Sequence, residues 1–344
     1  MGCRVHYFSM FSGIGGFEYG IGDMGECVGY SEIDKYAEAI YRYHYPEHKG
    51  FGDATGINTD DLPDFDCLVG GFPCQSFSIA GKRGGFSDSR GTLFFEIARI
   101  CADKRPGYIL LENVKGLLSH DNGKTFQSIL GILSDIGYLL QWEVCNSKCF
   151  GVPQNRERVF VIGHLGDRPR PEVFPIGEPE GLLDGEGQTL LMGCFSGKYR
   201  LNNRELLQVN SGGCQGQRVY DPDGLSTAIA QNTGGWGRST GLYAVQLANT
   251  GNKNRIIKGD GEPSFTVDKK ATQAVCTEVS DGIAVRRLTP LEAERLQAFP
   301  DSWTKWGLFD DGIKEISDTQ RYNCLGNAVT TSVIREIMQR LVAQ

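Results

Sequence analysis

The chain has 344 residues, with 35 basic and 42 acidic side chains and a formal net charge of −7 at pH 7. Hydrophobic residues make up 40% and charged residues 22%, which is typical of a globular protein and excludes a disordered one. No apolar run approaches the roughly 18 residues of a membrane span, and no signal-peptide pattern is present. We therefore expect a cytoplasmic protein of two domains, or of one domain with a large insertion.

The net acidity argues mildly against a nucleic-acid partner but does not exclude one, because binding depends on local basic patches. The 11 cysteines are scattered, without a CxxC pair. Because zinc-ligand spacing is absent, we expect no metal site and regard most thiols as buried structural residues in a reducing compartment.

Strand-like and helix-like segments alternate over the first 165 residues. Strands are predicted at His6–Phe8, Cys27–Tyr30, Asp66–Val69, Tyr108–Leu111 and Arg158–Ile162. Helices are predicted after an Asp34 cap, over Gly91–Lys104 and over Thr125–Ile136. This alternation predicts a parallel sheet with helices on both faces.

The pattern changes after Gly166. Residues 167–181 are rich in Pro, Gly and Glu and are predicted to form a linker. Residues 182–285 are rich in Gly, Asn, Gln, Ser and Thr, with ten basic and ten acidic side chains. Helical signals return with a capping box at Thr289, and Asn327–Leu341 is predicted to be an amphipathic helix that packs back onto the first domain.

A glycine-rich turn, Phe11–Gly16, follows the first strand and precedes a helix. In α/β sheets this position is where a nucleotide-like ligand approaches the carboxyl ends of the strands. Glu32, at the end of the next strand, is placed to bind ribose hydroxyls, and Asp53 to bind an adenine amino group. The pattern suits an adenosine-containing cofactor, with a purely structural turn as the alternative.

Three further segments carry chemically reactive groups. Cys74 follows a buried strand and Pro73, so it is a candidate nucleophile, although a structural thiol is the alternative. Glu112 lies at the tip of an apolar strand, where its proton affinity is altered; loop capping is the alternative. Arg156 and Arg158 are two residues apart, which predicts that they point to one face, with surface ion pairs as the alternative.

The order of these motifs resembles the DNA cytosine-5 methyltransferases. The matching segments are Phe11–Gly16, Gly71–Gln75, Glu112–Val114, Gln154–Arg158, Arg287–Pro300 and Gly326–Val329. The resemblance covers essentially the whole chain, with residues 182–285 in the place of the variable target-recognition region. The compact length is similar to the small bacterial restriction-modification type.

The resemblance implies an α/β fold, a Rossmann-like S-adenosylmethionine-dependent methyltransferase domain with a smaller, mostly β/loop target-recognition domain. It implies a catalytic domain at 1–180, target recognition at 181–285, a hinge and helix region at 286–319 and a returning segment at 320–344. The expected cofactor is S-adenosylmethionine, with S-adenosylhomocysteine as product, and the expected partner is duplex DNA. We expect a monomer with no membrane partner, and a cognate restriction endonuclease would act separately.

The resemblance also assigns roles by position. Cys74 matches the nucleophile, Glu112 the catalytic acid and Arg158 the base-contacting arginine, while Arg156 is expected to hold the catalytic loop or a phosphate. The implied cofactor-binding residues are Phe11, Gly13, Gly15, Glu32, Asp53, Pro73, Leu93, Asn327 and Val329. The implied DNA-binding residues are Gln75, Ser78, Lys82, Arg83, Gln215, Arg218, Thr227, Arg238 and Arg255.

One departure from the family pattern concerns the Thr-Leu pair after the variable turn. This chain reads Ser226-Thr227-Ala228-Ile229, so either Thr227 substitutes with a shift of one residue or that phosphate contact is absent. Three alternatives stay open: a tRNA cytosine methyltransferase, whose Cys-Phe-Thr element is not found, a catalytically inactive DNA-binding homologue, and a nicotinamide dehydrogenase.

Overall fold

A six-stranded sheet forms the centre of the protein. The computed structural model describes residues 4–73, 93–166, 171–176, 219–220, 242–243, 274–279 and 282–343. The sheet strands are β1 (Val5–Met10), β2 (Gly25–Ser31), β3 (Cys67–Gly71), β4 (Tyr108–Val114), β5 (Tyr138–Asn146) and β6 (Glu157–Leu165). Their order in space is β2-β1-β3-β4-β6-β5.

The described helices pack on this sheet or lie in the C-terminal part of the chain, residues 288–343. They are α1 (Gly16–Ile21), α2 (Lys35–His44), α3 (Leu93–Lys104), α4 (Lys124–Ile136), α5 (Pro290–Leu296), α6 (Asp318–Asn327) and α7 (Thr331–Val342). Local sequence explains their starts: Asp34 accepts hydrogen bonds from the backbone of Tyr36 and Ala37, and Thr289 and Glu292 form the predicted capping box.

The sheet is mixed, which corrects the prediction of a parallel one. β1 pairs in parallel with β2 and β3, and β3 with β4. β6 is antiparallel to both β4 and β5. β5 was not predicted from the sequence, and without it the direction of β6 could not be inferred. Because β5 and β6 form a hairpin, β6 begins at the edge where β4 ends.

Two further differences concern the C-terminal third of the chain. The predicted helix over Asn327–Leu341 is two helices, α6 and α7, separated by residues 328–330. A hairpin of β11 (Trp306–Phe309) and β12 (Gly312–Glu315) lies against α2 and was not predicted. The GNAV motif is therefore the junction of two helices and not the start of one.

Helices cover both faces of the sheet, as predicted. On one face, buried side chains of α3 and α4 such as Ile97 and Leu133 pack with Phe8 and Leu68. On the other face, α1 and α7 pack with Tyr7, Val69 and Phe160. The C-terminal helix therefore returns to the first part of the chain, and the predicted Rossmann-like α/β fold is confirmed.

Residues 171–176, inside the predicted linker, pack against β5. The side-chain amide of Gln141 donates to the Pro171 carbonyl at 2.8 Å and its oxygen accepts from the Val173 amide at 3.3 Å. Val173 is fully buried. Residues 171–176 are therefore packed along the edge strand β5 and do not form a free linker.

Between residues 181 and 287 the structure describes short strand segments. β7 (Val219–Tyr220) pairs in parallel with β8 (Leu242–Tyr243), and β9 (Ala274–Val279) pairs antiparallel with β10 (Gly282–Arg287). β10 leads directly into α5. Among the described residues, no helix is long and apolar enough to cross a membrane.

A buried carboxyl group on α1 predicts that stability depends on pH. Glu18 is 3% exposed, and neither of its carboxylate oxygens has a hydrogen-bond partner among the described residues. The titratable groups that interact with its charge are Tyr7 on β1, Cys27 and Tyr30 on β2, and Tyr41 and Tyr45 at the C-terminal end of α2. Burial raises the pKa of Glu18 to about 7, although the nearby hydroxyl groups of Ser9 and Tyr41 partly oppose the shift.

We expect the contribution of Glu18 to the free energy of unfolding to fall by about 3 kcal/mol as pH rises from about 4 to 7. Above this range the contribution of Glu18 is expected to level off. The sign follows because the folded state keeps a proton in this range that the unfolded state releases. Urea unfolding of the wild type and of Glu18→Gln at half-unit pH steps measures the effect as a difference. Parallel curves for the two proteins would contradict it.

Candidate active site

The motifs meet at one edge of the sheet. β1, β3 and β4 are parallel and end at this edge, and the antiparallel β6 begins there. In register, Gly71 pairs with Glu112, and Val114 pairs with Arg158. Segments that are far apart in sequence therefore present their functional side chains side by side, as expected for ligand sites in open α/β sheets.

The glycine turn after β1 adopts backbone conformations that explain its composition. Gly13 and Gly15 have φ values of 58° and 83°, and Phe11 has 55°. Such positive values favour glycine, whereas Phe11 is held there at a cost in strain. Gly15 occupies the N-cap of α1, and a side-chain carbon on it would lie 2.7 Å from the Tyr45 ring.

Glu32 is fixed beside this turn by backbone amides. Its Oε2 accepts from the Gly13 amide at 2.8 Å, and its Oε1 accepts from the Ile33 and Asp34 amides at 2.8 Å each. Burial raises the pKa of Glu32, and the three amides oppose that shift. A carboxylate offers about four acceptor positions, so a position on Oε2 is left for a ligand hydroxyl.

The space next to Glu32 fits a cofactor that contains adenosine. A carbon added at Gly13 or at Gly52 would meet no atom of the described residues within 4 Å, although both glycines have positive φ. Ser31 Oγ donates to the Gly52 carbonyl at 2.6 Å, which brings the loop carrying Asp53 next to the end of β2. Asp53 is exposed and accepts from the Thr55 amide at 2.9 Å. Backbone and carboxylates thus line open space where the sequence analysis expected ribose and adenine.

The C-terminal motif packs against the same turn. A carbon added at Gly16 would lie 2.8 Å from Val329 Cγ2, and Val329 is 7% exposed. Trp303 Nε1 donates to the Ile14 carbonyl at 2.9 Å. Asn327 is exposed at the end of α6. Val329 therefore lies against the start of the helix that follows the glycine turn, although residues 16 and 329 are far apart in sequence.

A buried ion pair lies at the edge between β4 and β6. Arg158 Nε is 3.0 Å from Glu112 Oε1, and their side chains are 14% and 11% exposed. Burial raises the pKa of Glu112, while the positive charges of Arg158 and Arg156 lower it. Gly71 leaves room for the carboxylate, since a carbon there would lie 3.1 Å from Glu112 Oε2. A buried carboxyl group whose pKa is raised in this way is a candidate to exchange a proton with a substrate.

Arg156 has a different environment from Arg158. Its side chain is 1% exposed, and its terminal nitrogen donates to the Ala328 carbonyl at 2.7 Å and the Gly326 carbonyl at 3.3 Å. So deeply buried a guanidinium does not reach a DNA phosphate, which was one of the two roles expected for it. Its hydrogen bonds instead hold the backbone on both sides of Asn327.

Asn113 connects the acid-bearing strand to the turn before Cys74, which the sequence analysis did not recognise. Asn113 Nδ2 donates to the Phe72 carbonyl at 2.8 Å, and Asn113 is 3% exposed. Pro73 follows as an exposed residue, and Leu93 begins α3 as a half-buried one. The Asn113 position inside the Glu112–Val114 motif was the available signal.

Glu294 connects several segments of the C-terminal part of the chain and was also not predicted from the sequence. It is fully buried and accepts from Arg321 at 3.0 Å, from the Ser302 amide at 2.7 Å and from the Thr304 amide at 2.8 Å. Its donors surround both carboxylate oxygens, which is the requirement for burying a charge. Its helical neighbours gave no sequence signal, because its partners lie in other segments.

The remaining predicted site residues lie outside the described part of the chain. They are Cys74, Gln75, Ser78, Lys82, Arg83, Gln215, Arg218, Thr227, Arg238 and Arg255. Their proposed roles rest on the sequence.

Comparison with known proteins identifies the family. A sequence model for C-5 cytosine-specific DNA methylase matches residues 5–343. The chain belongs to the C-5 cytosine-specific DNA methylase family. It is 34% identical to the orphan methyltransferase M.SPRI of Bacillus phage SPR, with 98% of each chain covered. It is 36% identical to the type II methyltransferase M.NlaX of Neisseria lactamica, with 97% of this chain and 95% of the relative covered.

Solved structures agree on the fold of this C-5 methylase. The S. pombe Dnmt2 methyltransferase is similar with a TM-score of 0.64 and 20% identity, covering 98% of both chains. A Spodoptera frugiperda DNMT2 variant is similar with a TM-score of 0.57 and 19% identity, covering 98% of this chain and 99% of that one. The predicted family and enzyme class, a DNA (cytosine-5-)-methyltransferase of restriction-modification type, are confirmed.

Proposed function

We propose that this methylase transfers a methyl group from S-adenosylmethionine to carbon 5 of a flipped-out cytosine in a specific duplex DNA sequence, through a covalent adduct with Cys74. The buried Glu112–Arg158 pair is the observation that carries the proposal. It lies at the sheet edge where Phe72 and Pro73 lead to Cys74, beside the glycine turn.

The cofactor would be held by residues of the glycine turn and its neighbours. S-adenosylmethionine supplies an electrophilic methyl group when bound. Glu32 Oε2 would accept a hydrogen bond from a ribose hydroxyl, and the Asp53 carboxylate would accept one from the adenine amino group. The other residues that we assign to this pocket are Phe11, Gly13, Gly15, Pro73, Leu93, Asn327 and Val329.

The chain's own residues activate the base. Cytosine carbon 5 is a weak nucleophile, so the Cys74 thiolate adds to carbon 6, breaks the aromatic system and makes carbon 5 enamine-like. Glu112 stabilises the developing charge at ring nitrogen 3 by hydrogen bonding or protonation, and Arg158 binds the carbonyl oxygen and orients the carboxylate. After methyl transfer the proton on carbon 5 leaves to a base, the sulfur–carbon 6 bond breaks, and the thiolate is regenerated.

Carbon 6 is inaccessible inside a base stack, so the cytosine must leave the duplex. Flipping costs a few kcal/mol, which contacts in the pocket and along the backbone offset. The segment Ser76–Asp88 carries Lys82 and Arg83 between glycines, and we propose that it closes over DNA. Ser78 lies on the same segment and Gln75 directly precedes it, and Gln215 fills the gap that the base leaves.

The target sequence would be read by residues 181–285, as a separate recognition domain following a catalytic domain at 1–180. Arg218, Arg238 and Arg255 supply phosphate and guanine contacts, and Thr227 a phosphate contact. Residues 286–319 act as hinge and 320–344 return to the catalytic domain. The protein acts as a cytoplasmic monomer, and any cognate restriction endonuclease acts separately.

Methyl transfer to defined nucleic acids tests the proposal. Purified protein is incubated with tritiated S-adenosylmethionine and duplex DNA, RNA or neither. Label in DNA is the expected result. Label in RNA alone would favour the tRNA methyltransferase alternative, and cofactor binding without transfer would favour an inactive homologue.

A mechanism-based trap tests the covalent step separately. Duplex DNA with 5-fluorocytosine at the methylated position is expected to form a complex with the protein that survives denaturing electrophoresis. The reason is that fluorine cannot leave carbon 5 as a proton, so elimination of the cysteine is blocked. A protein that methylates ordinary DNA but forms no such complex would refute the Cys74 adduct.

A further inference from the structure

A chain of buried hydrogen bonds connects three distant segments behind the candidate site. Ser147 Oγ lies 2.8 Å from Thr330 Oγ1, Thr330 Oγ1 donates to Gln297 Oε1 at 2.7 Å, and Gln297 Nε2 donates to the Leu325 carbonyl at 3.0 Å. Ser147, Gln297 and Thr330 are 2%, 0% and 3% exposed. The chain thus begins after β5, crosses the N-cap of α7 and ends in the last turn of α6.

The hydrogen bonds of these hydroxyl groups can be arranged in only one donor-to-acceptor order. Thr330 has one hydroxyl proton, which it gives to Gln297, so it must accept from Ser147. Ser147 has another acceptor, the Arg156 carbonyl, but that distance is 3.4 Å. The Thr330 hydroxyl therefore accepts a hydrogen bond from Ser147 and donates one to Gln297.

The same short backbone segment is held from a second side. Arg156 donates to the carbonyls of Gly326 and Ala328, while Gln297 holds the carbonyl of Leu325. We call Ser147, Arg156, Gln297 and Thr330 the 325–330 clamp. It fixes the backbone before and after Asn327 and connects it to the segment that leads into β6 and Arg158.

We propose that Thr330 is a positioning residue whose hydroxyl, through the 325–330 clamp, sets the affinity of the protein for its cofactor. This proposal rests on the proposed function, in which Asn327 and Val329 line the cofactor pocket. In this proposal Thr330 itself contacts neither the cytosine nor the methyl group that is transferred. Loss of its hydroxyl leaves Gln297 Oε1 and the Ser147 hydroxyl buried without this partner, a state that the backbone can relieve only by shifting.

Thr330→Val is the direct test, because valine has nearly the shape of threonine without the hydroxyl. Isothermal titration with S-adenosylhomocysteine is expected to show about tenfold weaker binding. Steady-state assays are expected to show a similar rise in KM for S-adenosylmethionine, with kcat at saturating cofactor within about threefold of wild type. If Thr330 acted on fold stability alone, the variant would have a lower Tm but no selective rise in KM relative to kcat.

Two variants serve as controls. Thr330→Ser keeps the hydroxyl and is expected to restore affinity to within about threefold of wild type. Thr331→Val removes the neighbouring hydroxyl, which donates to the Ala298 carbonyl at 2.7 Å outside the clamp and is equally buried. It is expected to lower Tm and to leave cofactor affinity unchanged. If Thr330→Val does not fold, Ser147→Ala removes the donor at the other end and is expected to weaken binding in the same direction.

The outcomes separate this proposal from the proposed function. Equal affinities for Thr330→Val and wild type, or equal losses in Thr330→Val and Thr331→Val, would overturn the positioning role. A wild type that binds S-adenosylhomocysteine but methylates no DNA would overturn the proposed function and leave the clamp measurable. A wild type that does not bind S-adenosylhomocysteine would overturn both.

Discussion

Cys74→Ser is expected to show no methyl transfer above background, while its affinity for S-adenosylhomocysteine stays within about twofold of wild type. A thiol has a reference pKa near 8.5 and forms a nucleophilic anion readily, whereas a serine hydroxyl does not ionise near neutral pH. Without the anion, carbon 6 of cytosine is not attacked and carbon 5 stays unreactive. Tritium transfer to duplex DNA and calorimetric titration measure the two quantities.

Cys149→Ser is the matched control for this prediction. Cys149 is a half-buried thiol in the turn after β5, and burial raises its pKa, so it should be unreactive. Its replacement is expected to leave methyl transfer within about twofold of wild type. Measurable turnover by Cys74→Ser, or equal losses in both variants, would remove Cys74 from the mechanism.

Glu112→Gln is expected to lower kcat for methyl transfer by about 10²–10⁴-fold, the contribution typical of a positioned acid or base. Glutamine keeps the shape of the side chain but cannot release a proton to ring nitrogen 3. Single-turnover methylation of a defined duplex measures the loss. Binding of S-adenosylhomocysteine shows that the variant is folded although Arg158 has lost its carboxylate partner.

Glu157→Gln tests whether the loss is specific to the buried acid. Glu157 begins β6 at the same sheet edge and pairs with Lys115 at 2.8 Å, but both side chains are more than 40% exposed. Exposed pairs contribute little, so activity within about twofold of wild type is expected. A kcat for Glu112→Gln within tenfold of wild type would argue that Glu112 is not the acid.

Local sequence patterns predicted much of the catalytic half. The strand before the glycine turn, the Asp34 cap and the capping box at Thr289 are short-range features, and the structure has all three. β5 escaped because its burial is irregular: Leu139 is 50% exposed on an edge strand, whereas Gln141 is buried. A two-residue alternation is weak in such a strand, and the direction of β6 depended on it.

The sequence predicted which residues belong to the candidate site but not how their side chains are arranged in space. Glu32 and Glu112 were recognised from their positions at strand ends, but their partners required coordinates. The phosphate role considered for Arg156 was set aside once its guanidinium proved to be 1% exposed. Its acceptors lie 170 and 172 residues further along the chain, beyond the reach of any local pattern.

The sequence by itself determined the family, the α/β class and the identity of the candidate catalytic and cofactor-binding groups, because these depend on ordered motifs and short-range spacing. The tertiary structure alone decided that β6 runs antiparallel, that Arg158 rather than Arg156 pairs with Glu112, and that Thr330 joins Ser147 to Gln297. The physical reason is that burial and hydrogen-bond pairing depend on which distant segments pack together, which a linear pattern does not encode.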